Sequence, residues 1–218
     1  MRRPGTVVCL GELLIDFVPG QPGLSVREAT GFIKSAGGAP ANVAAVIARL
    51  GGRSVFIGRV GADPFGDWLR AQLEATGTDT SHLISDPVAA TSLAFVSLAA
   101  DAGRDFMFYR DGTADTQLQP EDIPDSVLTD AAALHVCSVS LSTGPARTAT
   151  LHGIRRAREL GVPVSFDINW REPLWPDPAE ALPVIREALS HADIIKLSED
   201  ELTFLTGHSG PEAARELL

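Results

Sequence analysis

The sequence predicts an α/β fold, in which a doubly wound, mostly parallel sheet is flanked by helices and accompanied by a small β-sheet. Three observations predict this class. From about residue 131 onward, apolar strand segments alternate with helical segments, a rhythm that requires parallel strands joined by right-handed crossovers. Upstream, an aromatic hairpin breaks that rhythm and indicates the small sheet. The chain has 218 residues, 44% hydrophobic and 21% charged, which is enough for one sizeable domain.

The first helix follows the segment GFIKSAGGAP. Apolar residues at i, i+3, i+4 and i+7 form one stripe of this helix: Val43, Val46, Ile47 and Leu50. Pro40 suits the first helical position, and Gly51 suits the left-handed residue just past the end. Gly37, Gly38 and Asn42 suit a tight strand-to-helix turn and a ligand site about equally, because small residues allow close approach to the backbone.

Further elements of the first half follow from the same patterns. The segments TVVCLGELLIDFVP and SVFIGRVG are predicted strands, and the first of them reaches the polar positions Glu12 and Asp16. Asp63 is expected to cap a helix that runs to about residue 77. The segments TSLAFVSLA and DFMFYR, joined by the turn DAGR, form the aromatic hairpin. We expect the hairpin and the Asp16 region to form a small separate sheet that covers a ligand.

The second half repeats strand and helix regularly. The predicted strands are ALHVCSVSL, VPVSFDIN and ADIIKLS. Helices are predicted at 145–160, at about 179–190 and over EDELTFLTG. This order gives the doubly wound sheet.

Composition excludes several classes of function. The net charge of −10 argues against a nucleic-acid or anionic-membrane surface, although local N–H groups and one arginine can still hold a phosphate. Cys9 and Cys137 lie in apolar runs, as buried free thiols of a reducing cytosol do. No signal peptide or membrane span is evident, so we expect a cytoplasmic protein.

Polar residues follow the predicted strands of the second half. They are Ser138, Ser140, Asp167, Asn169, Arg171, Lys196 and Ser198. In open α/β sheets, ligands bind beyond the carboxyl ends of the strands, so these side chains are expected to converge on one crevice. Hydroxyls, amides, a carboxylate and a guanidinium suit a polyhydroxylated ligand together with a phosphate.

Several of these residues also have purely structural explanations. Ser198 and Glu201 spell a capping box, which is as plausible a role for Glu201 as a functional one. Asp16 is harder to dismiss, because it interrupts an apolar stretch and a buried carboxylate needs partners. Phosphate-loop, dinucleotide and hydrolase-elbow motifs are absent, and the five histidines lack metal-binding spacing.

The segment GGAPANVAAVIARLGG resembles the first motif of the ribokinase-like (phosphofructokinase-B) carbohydrate kinases. Further segments resemble the bacterial fructokinase branch in fixed order: GELLIDFVP, FIGRVGADPFGDWL, SLAFVSL, FMFYRDGTAD, LHVCSVSL, SFDINWREPLW and DIIKLSEDELTFLTG. The resemblance implies a ribokinase-like sheet and phosphoryl transfer from ATP to a sugar hydroxyl, with Mg²⁺. The partner is then a small-molecule sugar. The lid sheet could also pair two copies of the chain.

The resemblance also implies roles for individual residues. The sugar-binding set would be Asp16, Gly37, Gly38 and Asn42, with Phe108 and Arg110 facing the substrate from a lid at about 10–35 and 91–112. The set near the nucleotide phosphates would be Asn169, Arg171, Ser198 and Glu201. Glu201 would act on Mg²⁺ indirectly, through the phosphate network, although Ser198 stands where the family has Asn.

Fructose is the expected substrate, with 2-keto-3-deoxygluconate, its carboxylate bound by Arg110, as the alternative. A non-catalytic sugar-binding module derived from the family is a second alternative. The family's G-A-G-D motif is absent from the sequence. We therefore expect residues 1–218 to be an incomplete domain with no catalytic residue of its own, because the base and anion hole would lie beyond Leu218. Such a chain is expected to be inactive and to aggregate.

Overall fold

The computed structural model describes residues 5–99, 103–215 and 217 of the chain. The strands are β1 (Thr6–Leu10), β2 (Leu14–Pro19), β3 (Phe32–Gly37), β4 (Arg53–Gly61), β5 (Asp79–Asp86), β6 (Leu93–Ala99), β7 (Gly103–Tyr109), β8 (Ala131–Cys137), β9 (Val164–Asp167) and β10 (Ile194–Lys196). The α-helices are α1 (Ala39–Arg49), α2 (Pro64–Glu74), α3 (Asp125–Leu128), α4 (Gly144–Glu159), α5 (Pro178–Leu189), α6 (Glu199–Thr206) and α7 (Pro211–Arg215). Short 3₁₀ segments lie at Ala114–Gln117, Pro120–Asp122, Ser138–Leu141 and Glu172–Leu174.

The strands form two sheets, and the predicted fold class is confirmed. The central sheet has six strands in the order β10-β9-β8-β1-β4-β5, and all neighbours are parallel. The small sheet has the order β3-β2-β6-β7, with β2 and β3 antiparallel, β2 and β6 parallel, and β6 and β7 antiparallel. The segment TVVCLGELLIDFVP therefore supplies one strand to each sheet and connects them.

The aromatic hairpin is present as β6 and β7, which pair from Leu93 opposite Tyr109 to Ala99 opposite Gly103. Its predicted turn falls on residues 100–102, outside the described residues. Strand β5 was not predicted. It is an edge strand in which buried positions are separated by exposed polar ones, so its apolar signal is weak.

Strand β8 ends four residues earlier than the sequence predicts. The chain turns into a 3₁₀ segment at Ser138, and all four of its residues are buried. A buried apolar run fits a strand and a tight turn equally well, so the sequence could not separate the two. The turn brings Val139 and Ser140 to the end of the central sheet.

The buried face of α1 differs from the predicted apolar stripe. Val46 and Leu50 are 53% and 83% exposed, whereas Ala41 and Ala44 are buried against Cys9 and Phe56. Small side chains let the helix lie close to the sheet. This close packing stabilises the observed orientation of the helix more than burial of the larger side chains of Val46 and Leu50 would. Gly51 has the predicted left-handed backbone, with φ of +84°.

Both cysteines are buried free thiols, as predicted. Burial raises the pKa of the Cys9 thiol to about 12, so it stays protonated. Among the helices in the described ranges, none is long and apolar enough to cross a membrane.

Asp63 caps α2 and also ties that helix to the entry of β6. One carboxylate oxygen accepts from the N–H groups of Phe65 and Gly66, both at 2.9 Å. The carboxylate also accepts from the Thr91 N–H at 2.8 Å and the Thr91 hydroxyl at 2.9 Å. These backbone bonds lower the pKa of Asp63 despite the cost of burying it. Asp63 is thus a cap and a link between the two sheets.

We expect Asp63→Ala to lower the free energy of unfolding by about 2–4 kcal/mol, because four hydrogen bonds lose their acceptor. The matched control is Asp177→Ala, since Asp177 caps α5 through a single bond from the Ala179 N–H. That change should cost about 1 kcal/mol. Urea denaturation of both variants makes the comparison, and equal losses would contradict the linking role of Asp63.

Candidate functional site

A cavity of about 230 Å³ lies between the end of the central sheet and one face of the small sheet. Both sheets and helix α1 contribute to its wall. The lining residues are Glu12, Leu14, Asp16, Gly38, Ala39, Asn42, Phe108, Val139, Asn169 and Arg171. Six of them are polar or glycine positions that the sequence had already singled out: Glu12, Asp16, Gly38, Asn42, Asn169 and Arg171. Of the strand-end side chains expected to converge, Asn169 and Arg171 line the cavity.

Asp16 is a half-buried carboxylate on the cavity face of β2. Within the described residues, no hydrogen bond reaches it. Burial, and next the charge of Glu12, raise the pKa of Asp16 to about 6. Gly37 lies directly against it, and a Cβ at that glycine would come within 2.6 Å of the Asp16 carboxyl carbon. Gly37 therefore leaves room for a carboxylate that still has acceptor sites to offer.

Gly38 makes the tight turn into α1. Its φ is +109°, and a Cβ there would collide with the carbonyl oxygen of Glu12 and lie 3.1 Å from the Cα of Leu13. Both obstacles are backbone atoms that cannot swing away. Glycine is therefore required for conformation and for space at once.

Glu12 holds the start of α1 in place. Its buried carboxylate accepts from the Ala39 N–H at 2.9 Å and from the Ser140 hydroxyl at 2.7 Å. It thus caps a helix whose own N-cap residue, Gly38, has no side chain. Burial raises the pKa of Glu12, while the Arg110 charge opposes that rise. The sequence marked Glu12 only as a polar position, and its contacts across the fold give it a place in the site.

Asn42 and Phe108 complete the sugar-facing set that the resemblance implied. Asn42 is exposed on the first turn of α1, and its own N–H bonds to the Gly38 carbonyl at 2.9 Å. Asn42 lines the cavity, and its side-chain amide can both donate and accept hydrogen bonds. Phe108 is half-buried on β7 and gives the cavity an apolar wall.

Arg171 brings a positive charge to the same cavity, and Asn169 brings a neutral amide. Asn169 has a φ of +37°, and among the described residues it is the one non-glycine residue with positive φ. Backbone strain of this kind is concentrated at functional sites. Arg171 donates from Nη1 to the Trp170 carbonyl at 2.9 Å, which fixes one end of its guanidinium. A cation and an amide therefore face the cavity that contains Asp16.

Ser198 and Glu201 lie behind this loop and outside the cavity lining. They form a capping box at the start of α6: the Ser198 N–H donates to Glu201 at 2.7 Å, and the Glu201 N–H donates to the Ser198 hydroxyl at 3.2 Å. The other Glu201 oxygen accepts from the Trp170 N–H at 2.9 Å. Glu201 therefore links α6 to the strained loop that carries Asn169 and Arg171.

Arg110 is placed differently from the expectation that it faces the substrate. It is 5% exposed, does not line the cavity, and forms an ion pair with Asp115 at 2.6 Å. A second nitrogen donates to the Ser142 hydroxyl at 2.9 Å. Nearby charges of Asp115 and Glu12 raise the pKa of Arg110 against the opposing effect of burial. Its Nη2 nitrogen has no hydrogen-bond partner among the described residues, but the guanidinium is buried outside the cavity lining, so the alternative in which Arg110 binds a keto-acid carboxylate is not favoured.

Comparison with known proteins gives a consistent set of matches. The model of the pfkB family carbohydrate kinases matches residues 5–218. A probable fructokinase-2 of Arabidopsis thaliana is 47% identical over 204 residues, which cover 94% of this chain and 62% of that protein. The chain thus spans less than two thirds of the length of this relative.

Solved structures agree with this match. A fructokinase of Xylella fastidiosa with bound ATP has a TM-score of 0.87 and 38% identity, covering 99% of this chain and 69% of that one. A fructokinase of Vibrio cholerae O395 in a form with bound fructose, ADP and calcium has a TM-score of 0.84 and 38% identity, covering 98% and 68%.

Proposed function

This chain belongs to the pfkB family of carbohydrate kinases, and from that premise we propose that its cavity binds the sugar of a fructokinase reaction. In that reaction the γ-phosphoryl group of ATP passes to a hydroxyl of fructose. The observation that carries the proposal is the shared cavity of Asp16, Asn42, Asn169 and Arg171. The cavity combines hydrogen-bond acceptors for sugar hydroxyls with the Arg171 cation for a phosphate. The activity is a proposal because the chain spans 62% of its fructokinase relative.

The sugar part of the site suits a hexose. A cavity of 230 Å³ lies below the range of about 300–1,000 Å³ that is usual for larger ligands. The Asp16 carboxylate accepts hydrogen bonds from hydroxyls, and the Asn42 amide donates to and accepts from neighbouring hydroxyls. The ring of Phe108 covers the apolar edge of the sugar. The fructose-bound relative supports this choice of substrate.

The phosphate part of the site is the loop after β9. A guanidinium matches the geometry of phosphate oxygens and stays charged at any working pH. Phosphoryl transfer depends mainly on positioning and on stabilising charge at the transferred group. We assign Arg171 and Asn169 to that group, and Ser198 and Glu201 to holding their loop. The ATP-bound relative supports ATP as the donor.

Mg²⁺ is the proposed counter-ion of the ATP phosphates, whose charge it neutralises when bound. Within the described ranges, no three histidine, cysteine or acidic residues are grouped to hold a metal. Both oxygens of Glu201 already accept backbone N–H groups. We therefore propose that Glu201 acts on Mg²⁺ indirectly, through the phosphate network, and we assign no direct metal ligand and no catalytic base in the described part of the chain.

The small sheet is the proposed contact between two copies of the chain. Met107 and Tyr109 are 41% and 58% exposed on the same face of β7, beside the ring of Phe95. Exposed apolar residues grouped on a sheet face are typical of association surfaces. Light scattering should give a mass of two chains, and a monomer at every concentration would contradict this assignment.

The test of the proposed function is calorimetric titration of residues 1–218 with fructose, glucose and 2-keto-3-deoxygluconate. Fructose should bind most tightly, and Asn42→Ala should weaken its binding by about tenfold, because sugar hydroxyls lose a hydrogen-bond partner. Leu50→Ala at the exposed far end of the same helix is the matched control and should leave affinity unchanged. Preference for the keto acid, or equal loss in both variants, would overturn the proposal.

Fructose binding is expected to weaken as pH falls through about 6, the pKa of Asp16 in the free protein. Sugar hydroxyls donate to the ionised carboxylate, so binding favours deprotonated Asp16 and affinity falls when the proton returns. Well below this pKa the loss should be roughly tenfold per pH unit. Titrations on both sides of pH 6 measure it. Asp16→Asn removes the titrating group, so a pH dependence that persists in this variant would point to Glu12 instead.

A further inference from the structure

A second cavity, of about 440 Å³, lies between β3, α1 and α2. Its cation lies on the opposite face of the small sheet from Asp16: Phe17 and its partner Lys34 are on that face, although Ser35, which pairs with Asp16, also lines this cavity. Lys34 lines the second cavity, together with Trp68 from α2. The family's sugar and phosphate sites, as argued above, do not include this space.

The charge of this cavity is opposite to that of the chain. Lys34 and Arg49 are the charged residues of its lining, which contains no carboxylate. Neither of them forms a salt bridge to any acidic residue in the described part of the chain. The chain has 28 acidic against 18 basic residues, so a cavity with two cations that form no salt bridge among the described residues differs in charge from the chain as a whole. Such a cavity attracts an anion.

The Lys34 cation is held in place. The Lys34 ammonium lies 4.2 Å from the centre of the Trp68 ring, a cation–π contact that fixes a side chain which is otherwise flexible. Trp68 itself lines the cavity. This arrangement suits a ligand with a charged group beside a compact, partly apolar body.

The remaining wall offers neutral hydrogen-bonding groups. Gln72 lines the cavity from α2, Ser35 from β3 and Asn42 from α1. The Thr76 hydroxyl also lines it but already donates to the Leu73 carbonyl at 2.6 Å. Amides and hydroxyls of this kind bind the hydroxyls of a small polyol. Asn42 also lines the sugar cavity, so the two cavities share one side chain.

We infer that this second cavity is a binding site for a phosphorylated small sugar, with Lys34 and Arg49 on the phosphate and the amides and hydroxyls on the sugar. Its ligand and the sugar would both contact Asn42, which lines the two cavities. The inference goes beyond the proposed function, because it concerns a different cavity and stands whether or not fructose is the substrate.

The experiment is titration of residues 1–218 with fructose 6-phosphate, followed by calorimetry and by tryptophan fluorescence. Asp16→Asn serves as the background, because it weakens the sugar cavity and leaves this one intact. In that background, Arg49→Gln and Lys34→Gln should each lower affinity by about tenfold or more, since each removes a charged hydrogen-bonding group. Arg155→Gln, an exposed arginine on α4, is the charge-matched control and should have no effect.

Four outcomes decide the inference. Binding that survives Asp16→Asn and is lost in Arg49→Gln supports it. Absence of saturable binding in the Asp16→Asn background, or binding that both charge variants retain, overturns it. Inorganic phosphate and fructose are titrated separately. If inorganic phosphate binds as tightly as the sugar phosphate, the proposed role of the sugar part is wrong. The outcome is distinguishable from failure of the proposed function, which is tested on the unphosphorylated sugar.

Discussion

Asp16→Asn is expected to weaken fructose binding by roughly 10- to 100-fold, because a hydrogen bond to a charged group is worth about 1.5–3 kcal/mol. The same change should stabilise the free protein. The pKa of Asp16 rises from 3.8 to about 6 on folding, so the ionised carboxylate opposes the folded state. The gain at neutral pH has an upper bound of about 3 kcal/mol, because the carboxylate faces an open cavity.

The two effects together distinguish a binding role from a structural one. The stabilisation should be present above pH 6 and disappear as pH falls from about 6 towards 3.8, where Asp16 of the parent chain takes up its proton. Urea denaturation at several pH values measures stability, and calorimetry measures binding. A variant that lost stability together with binding would show that Asp16 supports the fold instead of the ligand.

Gly38→Ala is expected to lower the free energy of unfolding by about 3–5 kcal/mol, since it adds a steric clash to an unfavourable φ. The clash is with the Glu12 carbonyl, which lies in the segment that joins the two sheets. Gly51→Ala is the matched control. Gly51 also has a positive φ, of +84°, but no atom lies within 4 Å of a Cβ there.

The control should cost about 1 kcal/mol, the usual effect of alanine at a glycine with left-handed backbone. The difference between the variants isolates the close approach of α1 to Glu12. Denaturant unfolding measures both. Equal losses would show that Gly38 is needed for its backbone angle alone and that the helix start can move away from Glu12.

Much of the fold follows from local sequence signals. Strand and helix alternation after residue 131 predicted the parallel sheet, and Asp63 and Gly51 marked the ends of helices through capping chemistry. The end of β8 and the buried face of α1 were not predictable in the same way. Both depend on how closely elements pack, and the local pattern of apolar residues does not contain that distance.

The site was predictable where a polar residue interrupts an apolar segment or follows a strand. Asp16 and Asn169 have that signature, and both line the cavity. Glu12 has it too, but its partner Ala39 is 27 residues away, so its capping role needed the structure. Arg110 shows the reverse case. The sequence placed it at a hairpin end, and the buried ion pair with Asp115 depends on how the following segment folds back.

The central claim is that fructose binds between Asp16, Asn42 and Phe108. The most direct measurement is a crystal structure of the chain grown with fructose. It should show the sugar in the 230 Å³ cavity, with hydroxyls bonded to the Asp16 carboxylate and the Asn42 amide. Fructose bound elsewhere, or bound there with both side chains turned away, would contradict the claim.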